Sequence, residues 1–217
     1  MKNLAKNFLS ENDRQKIDAA VKAAEGRTSG EIVPMVISAA YHYPMADVIG
    51  AATFAIPLAI ILTHVIGHWL WIGDRNLWLF LGVGAVLFLL FHTLVGRIPA
   101  LKRCFVSQRE MEEEVQEAAV TRFFGQGLYR TRDETGVLIL ISVFERKVWV
   151  LADRGINAKV KEGHWEEIVA LITDGIRQHR PAEAICRAVE SVGEILAVHF
   201  PVKADDTNEL RNIIVEE

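Results

Sequence analysis

The sequence predicts an α+β domain, with helices covering a small mixed sheet, interrupted by a two-helix transmembrane hairpin. Three observations predict it. Two charge-free apolar runs, Val48 to Gly73 and Asn76 to Gly96, are separated only by Asp74 and Arg75. Stretches with apolar residues at helical spacing lie on both sides of these runs, and three short β-branched runs lie among those stretches. A helix rising about 1.5 Å per residue needs roughly 20 apolar residues to cross a hydrocarbon core about 30 Å thick, and both central runs are that long. The expected organisation is a first domain part over 1–40, a hairpin over 41–104 with spans at 48–71 and 77–96, a second domain part over 105–200, and an acidic tail over 201–217.

Each element has a local reason. Ser10 and Asp13 form a capping-box pattern, and Ile17, Ala20, Val21 and Ala24 repeat at helical spacing up to Gly26. Glu31 to Ser38 is a β-branched run whose Pro34 favours a sheet edge or a bulge. Ser107 and Glu110 start a further helix with Met111, Val115, Ala118 and Val120 on one face and a glutamate run, a solvated face, on the other. Gly125 and Gly127 end it. Val137 to Val143 reads as a buried strand, and Lys147 to Ala152 returns antiparallel after a turn at Glu145 and Arg146. Trp165, Val169, Ile172 and Ile176 share one helical face, and Ile185, Ala188, Val189, Val192, Ile195 and Leu196 another. From Pro201 onward the chain is acidic and weakly periodic, so the tail is expected to be irregular.

An even number of spans returns the chain to its starting side, so the first strand can still pair with the later hairpin. Trp69, Trp71 and Trp78 surround the short interspan turn, where amphipathic rings favour a membrane interface. Arg97, Lys102, Arg103 and Arg109 follow the second span, while the turn has one Arg balanced by Asp74. The positive-inside rule then predicts a multi-pass protein of the inner (plasma) membrane with both termini cytoplasmic. Met1 to Gly26 contains no continuous apolar h-region or secretory cleavage site, and no cleaved leader is expected. Cys104 and Cys186 are widely spaced thiols outside any C-x-x-C pattern, as suits a reduced compartment. A net charge of −4 and a pI near 6.0 exclude a general nucleic-acid binder with a basic face.

The motifs Thr28-Ser-Gly-Glu-Ile-Val33, Asp133-Glu-Thr-Gly-Val-Leu-Ile-Leu-Ile141 and Glu145-Arg-Lys-Val-Trp-Val-Leu-Ala-Asp-Arg-Gly155 resemble the TPM domain family, named for a thylakoid lumen protein. The resemblance covers 10–38 and 107–200, and the inserted hairpin is similar to that of a bacterial subgroup of predicted membrane proteins. It implies an α/β/α sandwich and a role in membrane-protein assembly or maintenance, with calcium binding and acid phosphatase activity in some members. The sequence departs from the family pattern after the third strand, where a glycine is usual and Asp153 stands.

The residues themselves suggest where chemistry would sit. In an antiparallel hairpin the start of one strand lies beside the end of the next, which brings Asp133 and Glu134 near Asp153. If the first strand runs parallel to the second, Glu31 arrives at the same edge. These four carboxylates are the candidate ligands for Ca²⁺ or another divalent cation, which would also need carbonyl or water oxygens. The competing reading is turn chemistry: Asp133 caps the entry to a strand, and Asp153 pairs with Arg154 or begins the next loop. Phosphoryl transfer would need positive groups, and Arg132 and Arg154 are the nearest in sequence. His64, His68 and His92 offer a haem or metal redox anchor, but helical rise separates His64 from His92 by roughly 15 Å or more along the membrane normal. Gly82, Gly84 and Ala85 permit close helix approach, either within the hairpin or in a homo-oligomer. The expected function is a binding module in the membrane, for a protein partner or a divalent ion, with a metal-dependent phosphatase as the alternative.

Overall fold

The computed structural model describes residues 3–71, 73, 76–131, 134–161, 163–202 and 212–216. It divides into two compact units, one of residues 1–41 with 111–217 and one of residues 42–110. In chain order the helices are α1 (Leu4–Phe8), α2 (Glu11–Glu25), α3 (Pro44–Trp69), α4 (Leu77–Arg97), α5 (Pro99–Arg103), α6 (Gln108–Gly125), α7 (Arg154–Asn157), α8 (His164–Arg177) and α9 (Pro181–His199). The strands are β1 (Glu31–Ile37), β2 (Gly136–Ser142), β3 (Lys147–Ala152) and β4 (Ile214–Glu216).

In the first unit the strands form one mixed sheet in the order β3-β2-β1-β4. β1 runs parallel to β2 from Glu31 opposite Gly136 to Ile37 opposite Ser142, and β2 and β3 form the expected antiparallel hairpin. Side chains alternate between two apolar cores. Ile32, Val36, Val137, Ile139 and Ile141 pack with α2, α8 and α9, whereas Val33, Met35, Ile37, Leu138 and Leu140 pack with Val115, Ala119 and Phe123 of α6. A sheet covered on both faces is the α/β/α sandwich, and it explains why β1 and β2 are continuous apolar runs. The capping box of α2 is present: Ser10 Oγ accepts from the Asp13 amide at 3.2 Å and Asp13 Oδ2 accepts from the Ser10 amide at 3.1 Å.

The tail expectation needs correction. Residues 203–211 lie outside the described residues, but Ile214–Glu216 is a strand, parallel to β1 from Met35 opposite Ile214 to Ile37 opposite Glu216. Three residues are too few to register as a period in sequence; the strand exists because β1 offers it an edge. β1 is therefore interior and its register with β2 is unbroken through Pro34, so it shows neither the edge position nor the bulge that Pro34 suggested. The Glu31 amide donates to the Thr135 carbonyl beside β2, and the Ser38 amide donates to the Glu216 carbonyl beside β4. Alternation turns positions 32, 34 and 36 toward β4's side. Pairing with β4 begins only at Met35, so the missing N–H of Pro34 deprives no strand partner. Ahead of it the Ile32 N–H donates to Glu25 Oε1 at 3.1 Å, which closes the rest of that edge.

In the second unit α3 and α4 pack side by side, and both are long and apolar enough to cross a membrane. α3 runs continuously through Pro57. Its buried residues include Ala51, Ala55, Ala59, Thr63 and Gly67, a stripe of small side chains four apart that permits close approach. A Cβ placed on Gly84 would sit 3.8 Å from the Ala59 Cβ, whereas one on Gly82 would meet open space. Gly84 thus faces α3 within the hairpin, where a Cβ would make ordinary van der Waals contact. Asn76 Oδ1 accepts from the Leu79 amide at 3.0 Å and caps α4. At the other end Lys102 of α5 forms a 2.8 Å salt bridge to Asp47 in the first turn of α3, with both side chains largely buried. Lys102 is one of the four basic residues that follow the second apolar run, and Asp47 neutralises its charge.

Candidate functional site

The parallel register of β1 and β2, together with the β2–β3 hairpin, places the start of β1, the start of β2 and the end of β3 at one end of the sheet. Glu31, the first residue of β1, donates its amide to the Thr135 carbonyl at 3.1 Å. The Asp153 amide donates to the Gly136 carbonyl at 2.9 Å, and Thr135 Oγ1 donates to the Ser29 carbonyl at 3.1 Å. Glu31, Thr135 and Asp153 are thereby tied to adjoining strand ends. Glu134 is exposed, with a left-handed φ of 55° and its amide donated to the Thr131 carbonyl. Asp133 and Arg132 lie outside the described residues.

Asp153 follows the turn-chemistry reading in its local role. It is the N-cap of α7, its Oδ1 accepting from the Arg154 amide at 2.7 Å, so the tie to Arg154 runs through the backbone. Its second oxygen, Oδ2, is buried and accepts no hydrogen bond in the structure. Among the described residues no group of three or more His, Cys, Asp or Glu side chains is arranged to hold a metal ion. His64, His68 and His92 are each exposed on the hairpin.

The structure adds a residue that the sequence reading passed over. Glu25, the last residue of α2, forms a side-chain hydrogen bond with Glu31 while its Oε1 accepts from the Ile32 amide. Burial pushes the Glu25 carboxyl up to about 7, the Ile32 N–H opposes that rise, and the negative charges of Glu31 and Asp18 reinforce it. Burial, with Glu31 beside it, thus biases Glu25 toward its protonated form at this end of the sheet. In sequence Glu25 reads as the polar end of an amphipathic helix, and only the turn through Gly26 to Gly30 folds it back beside Glu31.

The pair makes stability depend on pH with a definite sign. The folded-state value of Glu25 lies above its unfolded value of 4.5, so its contribution is complete below pH 4.5 and is lost as pH rises through about 7. Discounted for partial exposure, that loss is ~1–2 kcal/mol. Glu25→Gln keeps an oxygen for the Ile32 amide and offers Glu31 a permanent donor. Denaturation of the full chain between pH 4 and 8 (~0.3 M salt) should therefore give a flatter profile for the variant and a higher stability than wild type at pH 8. An unchanged slope would rule the pair out as its source.

Comparison with known proteins agrees with the fold. Residues 104–195 match the TPM domain. The NMR structure of the BA42 protein from the psychrophilic bacterium Bizionia argentinensis is similar to this chain with a TM-score of 0.59 at 20% sequence identity, over 97% of this chain and 96% of that one. At that identity the likeness is one of fold. No curated protein matches the chain. The match begins ahead of α6 and ends within α9, taking in one sheet-covering helix, the β2–β3 hairpin and the two helices packed on the opposite face; what is shown to be TPM domain is this stretch, residues 104–195.

Proposed function

We propose that this chain is an integral protein of the inner (plasma) membrane, anchored by the α3/α4 hairpin, whose TPM domain is a cytoplasmic binding module for a protein partner or a divalent cation in membrane-protein assembly or maintenance. The observation that carries the reading is the exposure of the hairpin's apolar surface. In the most apolar 18-residue windows only 28% of α3 and 11% of α4 is buried, whereas the core hairpin of a water-soluble protein would be mostly buried. Ile49, Ile56, Ile60 and Val65 of α3 and Leu81, Leu89 and Leu90 of α4 are exposed, and lipid is the solvent that suits them. Trp69, Trp71 and Trp78 are 78%, 94% and 82% exposed around the interspan turn, as interfacial anchors would be. Arg97, Arg103 and Arg109 supply the positive charge that favours cytoplasmic chain ends.

Native thiols test both the anchoring and the orientation. Cys104 is exposed just beyond the second span, whereas burial pushes the Cys186 thiol up and slows its reaction. A membrane-impermeant maleimide should label Cys104 only after cells are permeabilised, and the chain should stay in the membrane pellet through an alkaline carbonate wash. Labelling in intact cells would reverse the orientation, and recovery of a detergent-free monomer would end the membrane reading. Phosphate release by the purified full chain, with and without Mg²⁺ or Ca²⁺, tests the binding role against metal-assisted phosphatase chemistry. Metal-dependent turnover abolished by Asp133→Ala and by Asp153→Ala would replace the binding module with an enzyme.

A further inference from the structure

The shortest strand occupies the one edge of β1 that the rest of the fold leaves open. β4 pairs with β1 over three residues only. The edge cannot accept a longer neighbour toward its start, because Pro34 has no N–H and the Ile32 amide is already donated to Glu25. What remains is a short slot from Met35 to Ser38, with the Ser38 amide donating to the Glu216 carbonyl at 3.2 Å. The slot selects chemistry as well as length. Ile213 and Val215 pack toward one core and Ile214 toward the other, as a strand inserted at a sandwich edge requires. At its end the Glu216 carboxylate accepts from Arg122 Nε of α6 at 3.1 Å and from Gln126 Nε2, just past the end of α6, at 3.4 Å. Every β4 residue is partly exposed, unlike the fully buried β1 and β2.

We propose that this edge is a peptide-binding site for short extended segments of β-branched residues followed by a carboxylate, and that Ile214–Glu216 is its tethered, displaceable occupant. A partner carrying that pattern pairs by strand addition with Val36 and Ser38 while Arg122 and Gln126 receive its acidic side chain. The tethered segment must be displaced first, which sets a threshold for partner binding. The proposal rests on the reading of the TPM domain as a protein-binding module and specifies the partner's chemistry. It does not involve the carboxylates at the opposite end of the sheet.

The test uses the full chain in detergent and a fluorescent peptide Asn-Ile-Ile-Val-Glu-Glu, the sequence of residues 212–217. Glu216→Lys places a positive charge against Arg122 and weakens the tethered occupant. The variant should bind the peptide about tenfold tighter than wild type, and adding Arg122→Glu should remove that gain. Equal affinity of wild type and Glu216→Lys, or binding indifferent to Arg122→Glu, overturns the proposal. Hydrogen exchange on the wild-type chain needs no variant: the Ser38 amide should exchange on the order of a hundredfold faster than those of Val137–Ile141. Equal protection would mean that β4 does not open, and overturns it too. If a membrane partner is still captured by crosslinking while the peptide fails to bind, the edge site is lost and the binding-module reading stands.

Discussion

Replacing Lys102 with alanine is expected to destabilise the hairpin unit by ~3–5 kcal/mol, the largest effect of any single substitution considered for that unit. Lys102 Nζ lies 2.8 Å from Asp47 Oδ2, and the two side chains are 5% and 16% exposed. Removing one partner leaves the other charge buried without compensation, and the desolvation already incurred is no longer offset. The surroundings give Asp47 little room to relax: a Cβ on Gly96 would lie 3.6 Å from its Oδ1, which is buried and takes no hydrogen bond of its own. Asp47→Ala should behave like Lys102→Ala. The double change Asp47→Leu with Lys102→Met should return to within ~1 kcal/mol of wild type, because a matched apolar pair removes both charges together. A double-mutant cycle of denaturation in detergent measures this directly. Single effects that simply add would show that the pair is not coupled.

The second large effect is expected at Glu145, where alanine should cost ~2–4 kcal/mol. Glu145 lies in the β2–β3 turn and is 3% exposed, and its carboxylate accepts from the Ser142 hydroxyl and, at 3.0 Å, from the Ala40 amide. Neighbouring residues secure the end of β1 and the residue after it. The Ala5 amide donates to Ser38 Oγ, and the Val143 and Phe144 amides donate to the Ile37 and Ser38 carbonyls. Truncating Glu145 leaves a buried hydroxyl and a backbone N–H unsatisfied at once, which is why the expected loss exceeds that of one ordinary hydrogen bond. Glu145→Gln retains an acceptor for Ala40 and a donor for Ser142, so it should lose less than half as much. Thermal unfolding of the three proteins checks the order wild type, glutamine, alanine. A glutamine variant as damaged as alanine would mean that the charge, rather than the hydrogen bonds, matters.

These two clusters and the Glu25–Glu31 pair share a property that explains why sequence reading missed them. Lys102 is 55 residues from Asp47, and Glu145 is 105 residues from Ala40. In sequence Lys102 is one basic residue among several beside an apolar run, and Glu145 is a turn residue. Each acquires its role only when distant segments are packed together. That Glu31 and Asp153 share one end of the sheet was legible once the first strand is taken as parallel to the second, but β2 lies between them. The place of Glu25 was not legible, because helix periodicity tells which face a residue occupies but not how the following turn redirects the chain.

By itself, the sequence determined the longer helices and the three long strands, the two apolar helices and the β2–β3 hairpin, and it left the direction of β1 against β2 as a condition. Those follow from periods of 2 and 3.6 and from caps, all properties of contiguous residues. Only the tertiary structure decided that β1 lies inside the sheet, that Ile214–Glu216 completes it, that Glu25 is buried beside Glu31, and that Asp47 neutralises Lys102. The physical reason is that a three-residue strand and a lone buried charge owe their stability to partners supplied by remote segments, and nothing in their immediate neighbours records what those partners will be.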